Sequence, residues 1–130
     1  KQVESLRNQL EQAGLVKNKA RLLAEFSQSQ AEAEKLTNQA SFWNLVEEGE
    51  RFYSWLESEK KESYLQVAKL ASLADDKEKQ DQVFRILEVL AGQEIQKNVA
   101  RTILQNLLEA RKMWKANVSF QNSLEYLVLQ

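Results

Sequence analysis

The sequence predicts an all-α protein built as an antiparallel helical bundle, and three observations carry that prediction. The 130 residues contain no proline and 3 glycines, where ordinary usage gives about six and about nine. Leu, Ala, Glu, Gln and Lys dominate, all good helix formers. Clusters of β-branched residues, which favour strands, are scarce. The length suits one compact domain, or one domain plus a fragment, and leaves no room for a second full domain.

Each element follows from apolar spacing and from the residues that interrupt it. Val3, Leu6 and Leu10 recur at helical intervals, and Gly14 stands where a left-handed residue ends such a run. Leu15, Lys19, Ala20, Leu22, Leu23 and Phe26 continue the pattern until Ser27, Gln28, Ser29 and Gln30 break it. Ser29 and Glu32 form a capping box, so a third helix starts at Ser29, turns Ala33 and Leu36 inward and ends near Asn38. Ser41 is placed to cap a fourth helix rich in aromatic residues: Phe42, Trp43, Phe52, Tyr53 and Trp55. Gly49 interrupts it and marks a kink, a close helix contact or a boundary, at a cost of about 1 kcal/mol relative to alanine. Glu47 with Arg51 and Glu57 with Lys61 are i,i+4 pairs that mark solvent faces.

Tyr64, Val67, Ala68, Leu70, Ala71 and Ala74 give the next apolar face. Asp75, Asp76 and Glu78 read as a loop and an acidic first turn, so a helix begins near Lys77. Val83, Phe84, Leu87 and Leu90 line it, Asp81 and Arg85 support its outer face, and Gly92 is expected to end it. From about Glu94 to Lys115 a helix roughly 33 Å long is expected. Ile95, Val99, Ile103, Leu107 and Trp114 form its stripe, with Leu104 and Leu108 on the shoulder, a sector wide enough to be packed from two sides. Asn117 or Ser119 then caps a last helix bearing Phe120, Leu124, Leu127 and Val128. No repeat of fixed period appears and heptads do not persist, so a globular bundle is favoured over a solenoid or coiled coil.

The same composition restricts chemistry. With no His and no Cys there is no imidazole base, no thiolate, no Cys or His zinc site and no disulfide. Helical di-iron centres use Glu-x-x-His pairs, which this chain cannot supply. No catalytic residue, cofactor or metal is therefore expected. Lys+Arg 18 against Asp+Glu 19 gives a net charge of −1, far from the basic footprint of a nucleic-acid binder, so no direct nucleic-acid contact is expected. Apolar runs reach about four residues, Tyr126 to Leu129, where a bilayer span needs ~20. The expectation is a soluble, cytoplasmic chain with no membrane partner. It opens at Lys1 without an initiator Met and already inside an amphipathic pattern, which reads as a fragment.

Three weaker constellations have plainer readings. Ser58 and Lys61 fit a bare Ser-x-x-Lys spacing but lack companion motifs and sit in a charged helix end. Glu47, Glu48 and Glu50 read as a solvated polar face. Trp43, Trp55 and Trp114 read as core or subunit contact, because the cations that accompany base-stacking aromatics are missing. What remains is a helical domain without a reaction of its own, whose work is to hold other chains.

The run from Leu108 to Leu129 resembles the terminal segment of the bacterial DNA polymerase III delta-prime subunit, whose pattern is Asn-x-Asn, a gap, Leu-Glu and a leucine cluster. Asn117, Leu124, Glu125, Leu127 and Leu129 match, and Ser119 stands where the second asparagine is usual. Tyr64 to Glu88, with Ala68 to Ala71 and Asp76 to Gln80, is similar to the middle of the same domain. Gly14-Leu15, Ala20, Leu22 to Ala24 and Ser29 to Leu36 are similar to the end of the small helical lid that precedes it.

The resemblance implies residues 1–38 as the end of a helical lid domain and 39–130 as a C-terminal collar bundle. It implies a non-catalytic oligomerisation domain of the sliding-clamp loader in DNA replication, with the tau/gamma and delta subunits as partners and no cofactor. The long helix and the last helix would form the partner faces, with Trp114, Phe120 and Tyr126 as anchors and Asn117, Ser119 and Glu125 beside them. The alternative is an unrelated helical adaptor that binds some other helix or peptide.

Overall fold

The computed structural model describes residues 2–59 and 63–130, and among these it contains eight helices and no strand. They are α1 (Val3–Gln12), α2 (Lys17–Phe26), α3 (Gln30–Thr37), α4 (Ala40–Glu57), α5 (Ser63–Leu73), α6 (Lys77–Gln93), α7 (Asn98–Lys115) and α8 (Phe120–Leu129). The chain divides into two compact units, residues 1–43 and 44–130.

In the first unit α1 packs on α2. After α1, Gly14 adopts φ +105. Its N–H bonds to the Glu11 carbonyl and that of Leu15 to the Leu10 carbonyl, both at 3.0 Å, the paired closure in which a left-handed residue satisfies the last carbonyls of a helix. Ser29 caps α3, its hydroxyl accepting the Glu32 N–H at 3.1 Å. The returning half of the box is displaced by one residue, since Glu32 Oε1 accepts from the Gln28 N–H at 2.8 Å. Phe26 and Phe42 meet edge-on at 5.0 Å. Trp43 donates its indole N–H to the Thr37 carbonyl at 2.8 Å, and the Lys19 ammonium lies 5.1 Å from its ring centroid, an attraction worth about 0.5–1 kcal/mol.

In the second unit α7 packs against both α6 and α8, and α8 also packs on α5. Gly49 lies inside an unbroken α4, and a Cβ built there would stand 3.1 Å from Ile86 Cγ2. Of the three roles open to it, the glycine therefore serves close approach of α4 to α6. Asp76 caps α6, its carboxylate accepting the Lys79 N–H at 2.8 Å, and Ser119 caps α8 through the Asn122 N–H at 3.0 Å.

Several local expectations are corrected. Ser41 is no cap: α4 begins at Ala40, and the Trp43 N–H reaches the Gln39 carbonyl. Gly92 does not end α6, which runs on to Gln93 because nothing crowds or strains that glycine. The helix α7 starts at Asn98 rather than Glu94, so it spans about 27 Å. Arg101 accounts for the shorter start, donating to the Ile95 and Gln96 carbonyls at 2.8 and 3.0 Å and holding that segment as a turn; Ile95 is left 41% exposed. In α5 the inward stripe is rotated: Ser63, Gln66, Val67 and Leu70 are buried while Tyr64 and Ala68 face outward.

Glu48 explains that rotation. It is not solvated like Glu47 and Glu50 but only 5% exposed, and its carboxylate meets Arg51 at 2.7 Å and Lys69 at 2.9 Å. Gln66 completes the set by donating to the Glu48 backbone carbonyl at 3.2 Å and to its carboxylate at 3.4 Å. A buried charge is tolerable only when so paired, which makes Gln66 the residue that must face inward. The Ser58/Lys61 and Glu57/Lys61 pairs involve Lys61, which lies outside the described residues.

Two outcomes follow. Gly92→Ala should stabilise by about 0.5–1 kcal/mol, whereas Gly49→Leu should destabilise by about 1–3 kcal/mol through overpacking against Ile86; urea unfolding of both variants checks the contrast. For Glu48, burial raises the carboxyl, but hydrogen bonds from Lys69 and Gln66 and the charges of Arg51 and Lys69 outweigh it and hold it below its ordinary value. Its stabilising contribution is therefore full above the unfolded-state value and is lost as pH falls through the lowered one. Glu48→Gln should cost about 1–2 kcal/mol at neutral pH, discounted because Arg51 and Lys69 are half exposed, and less as pH falls through the lowered Glu48 value, as unfolding across pH will show.

Candidate interaction surface at the α7–α8 junction

The residues expected to meet partners gather where α7 ends and α8 begins, and the backbone there is set by two short side chains. Asn117 occupies φ 72, a left-handed conformation that asparagine tolerates better than most residues. The Asn117 N–H bonds to the Trp114 carbonyl at 3.1 Å and the Val118 N–H to the Met113 carbonyl at 3.0 Å. This is the closure seen at Gly14, so Asn117 ends α7 and Ser119 alone caps α8. Both side chains are exposed.

Inside the turn, Phe120 is 6% exposed and meets Phe84 of α6 edge-on at 5.6 Å. Trp114 is half-buried. Its ring lies 5.4 Å from Phe84, and its indole N–H donates to Gln80 Oε1 at 2.9 Å. Gln80 in turn donates to the Ala74 carbonyl at 3.2 Å, tying Trp114 through one side chain to the loop before α6. Phe120 is thus an internal anchor, whereas Trp114 is held on one side and open on the other. Glu125 and Tyr126 are half-buried, with Glu125 accepting from the Gln121 side chain at 3.2 Å.

A group the sequence did not reveal supports this corner. Arg111, one turn before Trp114, bonds to Asp81 at 2.6 Å and forks onto Glu88 at 2.9 and 3.0 Å. Its guanidinium also lies 5.2 Å from the Phe84 centroid. Burial works against its charge, and the Glu88 and Asp81 carboxylates more than compensate. The bidentate geometry is the strong form of such a pair. No local spacing signals it, because Asp81 and Glu88 lie on another helix.

At the far end of α8 an open groove of about 590 Å³ is lined by Leu56, Tyr64, Leu127, Val128 and Leu129 among others. Leu129 is 74% exposed and Tyr64 49%, so the apolar surface of the second unit extends along α8. Among the described residues no group of three or more acidic side chains is placed to hold a metal ion. Nor is any described helix long and apolar enough to cross a membrane. Comparison with protein-family models, with curated proteins and with solved structures finds no match.

Arg111→Ala should leave Glu88 without this cation and Asp81 with only the longer Arg85 contact at 3.8 Å, and cost about 2–3 kcal/mol. Trp114→Phe should lose only the Gln80 hydrogen bond, about 1 kcal/mol. Paired thermal and urea unfolding curves measure both, and an equal loss for the two would contradict the assignment of Arg111 as the main tie.

Proposed function

We propose that this chain is a non-catalytic assembly domain: the collar bundle of a DNA polymerase III delta-prime subunit, 39–130, following the end of a helical lid, 1–38. In this reading it acts in the cytoplasm within the sliding-clamp loader, gripping the tau/gamma and delta subunits and turning over no substrate. The observation that carries it is the α7–α8 junction. The residues of the family pattern fall into distinct physical roles there, with Asn117 closing α7 at positive φ, Ser119 capping α8 and Leu124 and Leu127 buried. Trp114, Glu125, Tyr126 and Leu129 keep exposed surface beside them, the mixture of apolar anchors and polar rim that subunit interfaces use.

Mixing the chain with the C-terminal regions of candidate loader subunits and determining mass in solution tests the reading. A defined hetero-oligomer is expected, weakened at least tenfold (about 1.4 kcal/mol) by Tyr126→Ala with Glu125→Lys while the melting temperature stays put. Trp114→Ala is expected to lower melting as well as binding, since its ring packs on Phe84. A folded chain that stays monomeric in every mixture overturns the assignment. Binding to an unrelated helix with no preference for loader subunits overturns it in favour of a general adaptor.

A further inference from the structure

The helix α5 docks with two polar residues inward and two large apolar ones outward. Ser63 and Gln66 are buried beside Val67 and Leu70, while Leu65 is 73% exposed and Tyr64 49%, the reverse of the usual preference of these residue types. Hydrogen bonds fix the rotation. The Gln66 side chain donates to the Glu48 carbonyl at 3.2 Å and to its carboxylate at 3.4 Å, and the Lys69 ammonium lies 2.9 Å from that carboxylate. The network that satisfies a buried charge thus turns Tyr64 and Leu65 toward solvent.

The outward face is ordered by size along the helix. At about 100° per residue, Tyr64, Leu65, Ala68 and Ser72 fall on one arc, with Ala71 at its edge. Ala68 and Ser72 are exposed and Ala71 half-buried. The two large side chains occupy the first half of α5, the small ones the second half, and Ala68 is the middle residue of Ser63–Leu73. The one charged residue in this span is Lys69, and its ammonium is engaged by Glu48. Beyond the Tyr64 end, the face runs into the groove that Tyr64 shares with Leu127, Val128 and Leu129.

We propose that this face of α5 joins two copies of the chain, paired antiparallel about a two-fold axis at Ala68. In that register Tyr64 and Leu65 of each copy lie against Ala71 and Ser72 of the other, so large meets small twice, as an isologous contact requires. Ala68 stands against Ala68 of the second copy and lets the helices approach to the short end of the usual interaxial range of about 8–10 Å. A formal charge of −1 and a face whose single cation is neutralised oppose the pairing little. The helix is only about 16 Å long, so the buried area falls below that of a standard interface and the dimer is weak. The contact uses a different face from the α7–α8 junction, so it stands or falls separately from the proposed assembly role.

The chain has no cysteine, so single introduced cysteines report the register. In a glutathione redox buffer, Ala68→Cys is expected to form a disulfide-linked dimer at least tenfold faster than Ser72→Cys. The two copies of residue 72 would stand about 12 Å apart along the helices, beyond disulfide reach. Sedimentation equilibrium of the native chain should show a monomer–dimer equilibrium. Leu65→Glu should weaken it at least tenfold with the melting temperature unchanged, because that side chain already lies in solvent. A native chain that is wholly monomeric at about 1 mM, association untouched by Leu65→Glu, or equal linking rates at positions 68 and 72 overturns the proposal.

Discussion

Phe84 is fully buried, and three side chains from two other helices of the second unit converge on it. Trp114 of α7 leans on one part of its ring at 5.4 Å, Phe120 of α8 meets it edge-on at 5.6 Å, and the Arg111 guanidinium lies 5.2 Å from its centroid. Each ring contact contributes about 0.5–1.5 kcal/mol beyond the area it buries. Their shared partner matters more than the sum, because the rings and the cation can all be satisfied only if α7 runs antiparallel to α6 in one register. Arg111 fixes that register from outside by spanning Asp81 and Glu88, which sit two turns apart on α6.

A chain without proline must end its helices by other means, and the means used here shape the surface. At Gly14 and Asn117 a left-handed residue folds the last carbonyls back onto two following N–H groups. At Ser29, Asp76 and Ser119 a short polar side chain receives the N–H three residues on, each worth about 1 kcal/mol. These devices are compact, so the α7–α8 connection needs only Ala116 to Ser119. A turn that short leaves the end of α7 and the start of α8 side by side, which is why Trp114 and Phe120 can share one aromatic partner.

The features legible in the sequence are those decided within one turn of helix. Ser29, Ser119 and Gly14 were readable because a cap is a local hydrogen bond, and Leu23, Phe84, Leu107 and Leu124 because a buried stripe recurs every three or four residues. What escaped depends on a distant partner. Ser41 has the chemistry of a cap, yet the chain was already helical at Ala40. Gly92 looks like a stop, but only a positive φ makes glycine one, and this residue has none. Glu48 was read by its charge although its position, three residues after Leu45 and four before Phe52, lies on the apolar stripe; period was the better guide. Gln66 faces inward only because Glu48 waits there. In the candidate surface, the roles of Asn117 and Ser119 were local and partly readable, whereas the hold of Gln80 on Trp114 and of Arg111 on two acids required the fold.

Two charged groups held among these helices, Glu48 and Arg111, are fully engaged by their neighbours. Glu48 is closed on three sides by Arg51, Lys69 and Gln66, so it offers no lone pair to a substrate and no freedom to take a proton near neutrality. Arg111 is likewise consumed by Asp81 and Glu88. Saturated in this way, buried charges specify which helix faces which rather than acting on a ligand, a role that offsets their desolvation only when every partner is present. The same logic directs the remaining free energy of the domain outward. With these charges engaged inside the second unit, the half-open ring of Trp114 and the apolar end of α8 are left as exposed apolar surface, the kind of surface the proposed assembly role would use.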